Sequence, residues 1–185
     1  MDASIRMLYA EHRVIQRIVG ALGCLSALAA EGVRPPLDAV GETMDLMREC
    51  TDAYHHGKEE RILFPMLEEQ GRFRLRAPVA VLTREHETGR EYVGRMAQAH
   101  AARLQGEWRE VFTRHAFSYQ ELLRAHITKE DRGLFPTADK ALDAAQKEDL
   151  ARMFASFEET APARLDEYRR RVVELEQAIK DLRPK

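Results

Sequence analysis

The amino-acid sequence predicts an all-α fold, an antiparallel up-down four-helix bundle followed by a C-terminal helical extension. Three observations predict it. Apolar residues recur at three- and four-residue steps along most of the chain, the period of an amphipathic helix. No stretch alternates apolar and polar residues between turn signals, so no strand is expected. The first 140 residues also repeat themselves, as two helical hairpins related by a pseudo-twofold would.

The elements follow in order. Residues 2–30 read as one helix, with Ile5, Leu8, His12, Ile15, Val19, Leu22, Leu25 and Leu28 on its stripe. Gly32 and the Pro35-Pro36 pair stop it. A second helix spans about 37–68, with Val40, Met44, Met47, Thr51, Tyr54, His55, Ile62 and Leu63 on one side; Pro65 should loosen its last turn and Gly71 should end it. Residues 72–76 read as a connection. A third helix opens near Pro78 and runs to about Leu104, with Gly106 closing it. A fourth spans about 107–133 and carries Val111, His115, Tyr119, Leu122, Leu123, His126 and Glu130, with Pro136 marking its end. Beyond it, Leu150, Met153, Phe154 and Phe157 form another stripe. Pro162 breaks the pattern, and Leu165, Tyr168, Val172, Leu175 and Ile179 resume it. This divides the chain into a bundle, 1–140, and an extension, 141–185, packed on it.

Bulk properties narrow the class. Charged residues are 32% and hydrophobic ones 44% of the 185 residues, as in an ordinary globular domain. The net charge of −2 comes from interspersed signs, which favours neither nucleic acid nor an anionic membrane as partner. No uninterrupted apolar run approaches the roughly 18 residues of a membrane span, and the N-terminus lacks the basic-then-apolar order of a signal peptide. Cys24 and Cys50 sit in no metal-binding or redox spacing, so two reduced thiols and a cytoplasmic location are expected.

The chemistry-bearing feature is the repeat. His55-His56-Gly57-Lys58-Glu59-Glu60-Arg61-Ile62-Leu63-Phe64-Pro65 recurs as His126-Ile127-Thr128-Lys129-Glu130-Asp131-Arg132-Gly133-Leu134-Phe135-Pro136, with seven identities in eleven positions. Glu11-His12 and Val19-Gly20 recur likewise as Glu85-His86 and Val93-Gly94. Each hairpin thus contributes one lone His and one His and Glu at i,i+4, on one helix face. The set is His12, His55, Glu59, His86, His126 and Glu130. Four imidazoles and two carboxylates suit iron or manganese better than calcium, and they exceed what one zinc needs. Two octahedral ions take about twelve bonds; four His, two bridging carboxylates and a bridging oxygen supply about ten. Roughly two positions stay open, room for O2, NO or peroxide. His56 with Glu60 satisfies the same spacing about 100° round the helix; the repeat favours His55 and Glu59.

These motifs resemble those of the hemerythrin-like (HHE cation-binding) domain family, in its bacterial form. The resemblance covers about residues 4–140. It implies a four-helix bundle around two non-haem iron ions, oxo- or hydroxo-bridged, with the six residues above as ligands and Glu59 and Glu130 bridging. Oxygen-carrying hemerythrins place a further His four residues after the third-helix ligand, and here that residue is Arg90. A fifth imidazole is therefore missing, and Glu85, Glu87, Tyr54 and Tyr119 are candidates to fill the gap. Glu11 and Glu85 are candidates to orient ligand histidines, while Lys58 and Lys129 read as solvated. His115, three turns before His126 on the same face, is a channel or core histidine. The resemblance implies binding or sensing of O2, NO or peroxide, or else an enzyme of peroxide or NO detoxification or iron-centre repair, or simple iron storage. Repair-type relatives carry an N-terminal cysteine segment, whereas this sequence opens almost at the first helix, so the expectation is against repair. A protein partner or a second copy is expected at the C-terminal helices.

Overall fold

The computed structural model describes residues 1–69, 73–102 and 107–182, with backbone alone at 73 and 74. Among these residues the chain forms six helices and no strand. Helix α1 is Ala3–Ala30, α2 spans 37–69, α3 is Phe73–Ala101, α4 spans 108–141, α5 is Ala144–Thr160 and α6 is Leu165–Lys180. The sequence positions expected at Gly71, Leu104 and Gly106 lie outside the described residues.

Local chemistry sets most ends. Asp2 caps α1 by accepting a hydrogen bond from the Ser4 N–H, and the chain turns out of it through Gly32 at φ +84°. Asp143 and Gln146 form a reciprocal capping box at the start of α5. Two boundaries differ from the sequence expectation. Helix α3 begins at Phe73, five residues before Pro78, so 73–76 belong to the helix. Helix α4 passes through Pro136 and continues to Ala141. The physical reason is shared with Pro65 in α2. A proline has no N–H to give to the preceding turn, and a π-turn sits just ahead of each one, at Glu59–Leu63 and Glu130–Leu134. The wider turn absorbs the missing bond, and the helix goes on.

Each of α2 to α4 packs against its predecessor, and α4 closes on α1; α5 and α6 lie against α1 and α2. Two apolar cores result. One gathers Ile18, Leu22, Leu25, Leu46, Met96 and Phe112 with Tyr168 and Val172 of α6. The other gathers Ile5, Leu8, Leu63, Leu67, Leu82 and Phe135 with Leu150 and Phe154 of α5. Helices α1 and α3 run from the second core to the first, and α2 and α4 run the other way. Between the cores each of α1 to α4 crosses one buried polar layer. Ion pairs fasten α6 from outside: Arg171 to Glu42 and Glu49, and Arg17 to Glu176. By length and composition α1 is apolar enough to cross a membrane, although it has no long uninterrupted apolar run. Its buried stripe is core, and Glu11 and His12 lie fully buried within it.

Candidate metal centre

The polar layer is built by four dipeptides. Glu11-His12 on α1 and Glu85-His86 on α3 each carry an imidazole and a carboxylate. Glu59-Glu60 on α2 and Glu130-Asp131 on α4 each carry two carboxylates. His55 and His126, one helical turn earlier, complete the layer. The π-turns at Glu59–Leu63 and Glu130–Leu134 begin at the inward glutamates, and such turns often mark functional sites.

The six sequence-predicted residues all converge here. His12 Nε2 lies 2.9 Å from His55 Nε2, and His86 Nε2 lies 3.0 Å from His126 Nε2. The two carboxylates join these pairs. Glu130 places one oxygen 3.1 Å from His12 Nε2 and the other 3.1 Å from His126 Nε2. Glu59 places its oxygens 3.7 Å from His55 Nε2 and 3.5 Å from His86 Nε2. All six side chains are nearly or fully buried. Donor atoms fall into two groups compact enough to hold a cation each: His12, His55, Glu59 and Glu130 form one, and Glu59, His86 and His126 form the other together with His56.

The outward nitrogens show why the inward ones are donors. His12 Nδ1 meets Asp131 at 2.6 Å, His55 Nδ1 meets Glu11 at 2.8 Å, His86 Nδ1 meets Glu60 at 2.7 Å and His126 Nδ1 meets Glu85 at 2.9 Å. A carboxylate only accepts, so each Nδ1 carries its hydrogen and each neutral ring turns its Nε2 lone pair inward. Two lone pairs facing each other at 2.9 Å repel unless a cation lies between or beside them. Glu59 and Glu130 are equally anomalous. They are fully buried, and none of their four oxygens has a hydrogen-bond partner, though imidazole nitrogens lie as near as 3.1 Å. Burying a carboxylate in that state costs several kcal/mol. The donor set therefore fits metal ions.

Protons take the cations' part in the metal-free site. Burial opposes charge on every ring, yet the Asp131 and Glu130 carboxylates raise His12 above the ordinary histidine value. Against the same penalty, Glu130 and Glu85 push His126 up to about 9. Their partners move oppositely: burial takes His55 down to about 4 and also lowers His86. In each facing pair the ring beside Glu130 is thus the more basic one. Burial acts to raise Glu130, but His126 and His12 hold it well below the carboxylate range. Burial and the neighbouring Glu130 charge push Glu59 well above that range.

Three of the four orienting carboxylates are backed by a cation. Lys58 pairs with Glu11, Lys129 with Glu85, and Arg90 with Glu60. The twofold repeat is broken at the first of these. Lys129 is about half-exposed, whereas Lys58 is fully buried, contrary to the solvated position its sequence suggests. The cause is α5. Glu158 accepts from Lys58 Nζ at 3.1 Å and from the Tyr54 hydroxyl at 2.5 Å, and the ammonium lies 3.8 Å from the Tyr54 ring centre.

The residues weighed for the gap at Arg90 stand elsewhere. Glu85 orients His126, Glu87 is exposed, and Tyr54 is bonded to Glu158. Tyr119 lines a cavity of about 150 Å³ together with Asp52, His56, His86, Gly89 and Arg90. Arg90 turns outward, to Asp52 at 2.8 Å and Glu60 at 2.6 Å. His115 lies outside the centre, beside Tyr92. Cys50 is a core side chain whose thiol is pushed far up by burial. The residue that sequence reasoning left out of the centre is His56. It is buried, stacks on His86 at 3.7 Å, and joins Glu59, His86 and His126 in one potential cation group. Glu60, its suggested partner, instead orients His86. The ten-residue π-helical stretch Met47–His56 explains how both neighbouring histidines face inward, because a wider turn narrows the angle between consecutive side chains.

Comparison with known proteins agrees with this geometry. Uncharacterized proteins from Mycobacterium tuberculosis and Mycobacterium bovis are 28% identical over 157 residues, covering 80% of this chain. The chain spans 58% of the length of these curated relatives. No solved structure matches it. The family model described as hemerythrin HHE cation-binding domain matches residues 3–138. With that match spanning all four helices that build the histidine–carboxylate layer, the chain belongs to the hemerythrin HHE cation-binding domain family.

Proposed function

We propose that this chain is a non-haem di-iron protein of bacterial hemerythrin-like type that binds or senses O2, NO or peroxide. His12, His55, Glu59, His86, His126 and Glu130 hold the two ions, with Glu59 and Glu130 bridging and an oxo or hydroxo group completing the bridge. The observation that carries the reading is the pair of facing Nε2 contacts at 2.9 and 3.0 Å, joined by two carboxylates that lack hydrogen-bond partners. Nitrogen and carboxylate donors without thiolate suit iron better than structural zinc. Bound there, iron supplies redox chemistry and a coordination position for a small ligand. The chain's own residues do the rest. Glu11, Glu60, Glu85 and Asp131 fix each ring's tautomer and angle. The apolar cores above and below keep bulk water out.

The same reading takes residues 1–140 as an antiparallel up-down bundle and 141–185 as an extension packed on it. The order in which the helices cross the two cores supports the first part, and the Lys58–Glu158 contact supports the second. It also takes the protein as cytoplasmic, with the C-terminal helices available to a protein partner or a second copy.

The test is substitution of the bridging positions. Glu59→Ala and Glu130→Ala should each abolish the oxo-bridge absorption of the iron-loaded protein, whereas Glu60→Ala, which only unpairs His86 Nδ1, should weaken iron loading without abolishing the absorption. Loss with Glu60→Ala but not Glu59→Ala contradicts the assignment. Mixing the reduced protein with O2, and separately with peroxide, then divides the chemistry: a stable reversible adduct supports binding, and repeated peroxide turnover supports an enzyme instead.

A further inference from the structure

We propose that His56 is a fifth imidazole ligand, donated to the ion on the His86–His126 side, and that it makes the two metal positions unequal. The inference rests on the di-metal reading above. Four observations carry it. The ring is buried, and neither of its nitrogens has a hydrogen-bond partner. A nitrogen of the ring lies within 4.8 Å of donor atoms of Glu59, His86 and His126. The ring stacks on His86 with planes 10° apart, so two adjacent imidazoles present their edges side by side. The repeat places Ile127 at the matching position, a buried core residue, so position 56 faces inward by design of the fold while its mate offers no donor.

Coordination arithmetic gives the inference its meaning. Six ligands and a bridging oxygen leave roughly two of about twelve positions unfilled, one on each ion. His56 fills the position on the His86–His126 side. It takes the place that solvent from the adjoining cavity of about 150 Å³ would otherwise fill. A His at position 90 is then unnecessary, and Arg90 is released to pair with Asp52 and Glu60. The Asp52 carboxylate, held by Arg90, lies 3.5 Å from His56 Nδ1, near the ring without hydrogen-bonding it.

His56→Leu in the full chain tests this, because leucine keeps the site apolar and filled without a donor. Iron affinity is read by chelator competition, and the average number of imidazoles per iron by X-ray absorption. The proposal expects the more weakly held ion to lose at least about 10-fold in affinity, and the imidazole count to fall. The tighter ion should be little changed. Unchanged affinity and unchanged imidazole count overturn it. If the leucine variant does not fold, as judged by circular dichroism of the metal-free protein, His56→Gln serves with the same readouts. Wild-type protein that takes up no pair of irons overturns the di-metal reading and the inference with it. Wild-type protein that loads two, with a variant that loads them equally well, overturns the inference alone.

Discussion

Lys58 and Lys129 occupy matching positions of the repeat and make the same contact, yet their substitution should differ sharply. Each ammonium backs a glutamate that orients a ligand histidine: Lys58 to Glu11 to His55, and Lys129 to Glu85 to His126. Only the burial differs. Lys58 and Glu11 are both 0% exposed, whereas the Lys129 side chain is 46% exposed. Methionine has nearly the volume of the lysine stem, so Lys→Met removes the charge and little packing. At position 58 it leaves Glu11 as a buried carboxylate without its cation, a loss of about 3–5 kcal/mol. At position 129 water replaces the ammonium, and the loss is about 0–1 kcal/mol. The difference, about 3 kcal/mol, is roughly a hundredfold in the unfolding equilibrium. Urea unfolding of the metal-free protein, followed by circular dichroism with a common slope, measures it. Adding Glu11→Gln to Lys58→Met should restore part of the loss, because the orphaned charge is gone. Two single variants within about 1 kcal/mol of each other would refute the claim that α5 places Lys58 in a low-dielectric site.

Three other outcomes follow. In the metal-free protein His55 and His126 should each lower stability on one side of about pH 6.5. His55 titrates at about 4 when folded against 6.5 when unfolded, so the unfolded chain takes the proton first and stability falls as pH drops from about 6.5 toward 4. His126 is raised to about 9, so its contribution is full below 6.5 and is lost as pH rises toward 9. Each of these two histidines accounts for about 3 kcal/mol, and the His126 contribution should vanish on iron loading because the metal displaces that proton. Asp131→Ala frees the His12 ring and should weaken iron binding about 10- to 100-fold in chelator competition, without changing the fold. Gly32→Ala should destabilise by about 1 kcal/mol in urea, since its φ of +84° is strained for alanine although the added methyl meets nothing nearer than 4.0 Å.

The helical periods, the repeat and the six converging residues were legible because each is encoded by local spacing. Glu11 and Glu85 were legible as orienting groups for the same reason: both sit one residue before a ligand in both halves. Three things were not. The passage of α4 through Pro136 depends on a π-turn, and proline by itself reads as a stop. The burial of Lys58 depends on Glu158, a hundred residues on, and on a helix outside the repeat. His56 was hidden by the assumption of α-helical steps of about 100°, which turn one of two neighbouring residues away. A signal for it did exist. Ile127, its mate in the repeat, is apolar, and an apolar mate marks position 56 as inward-facing.

The central claim is that the polar layer between the two cores is a two-metal site. Anaerobic titration of the metal-free protein with ferrous iron, to saturation and with free iron removed, tests it most directly. The account predicts about two irons per chain, proton release on binding, and loss of stoichiometric uptake in a Glu59→Ala, Glu130→Ala double variant that remains folded. Saturation at one iron per chain, or equal uptake by the double variant, would contradict it.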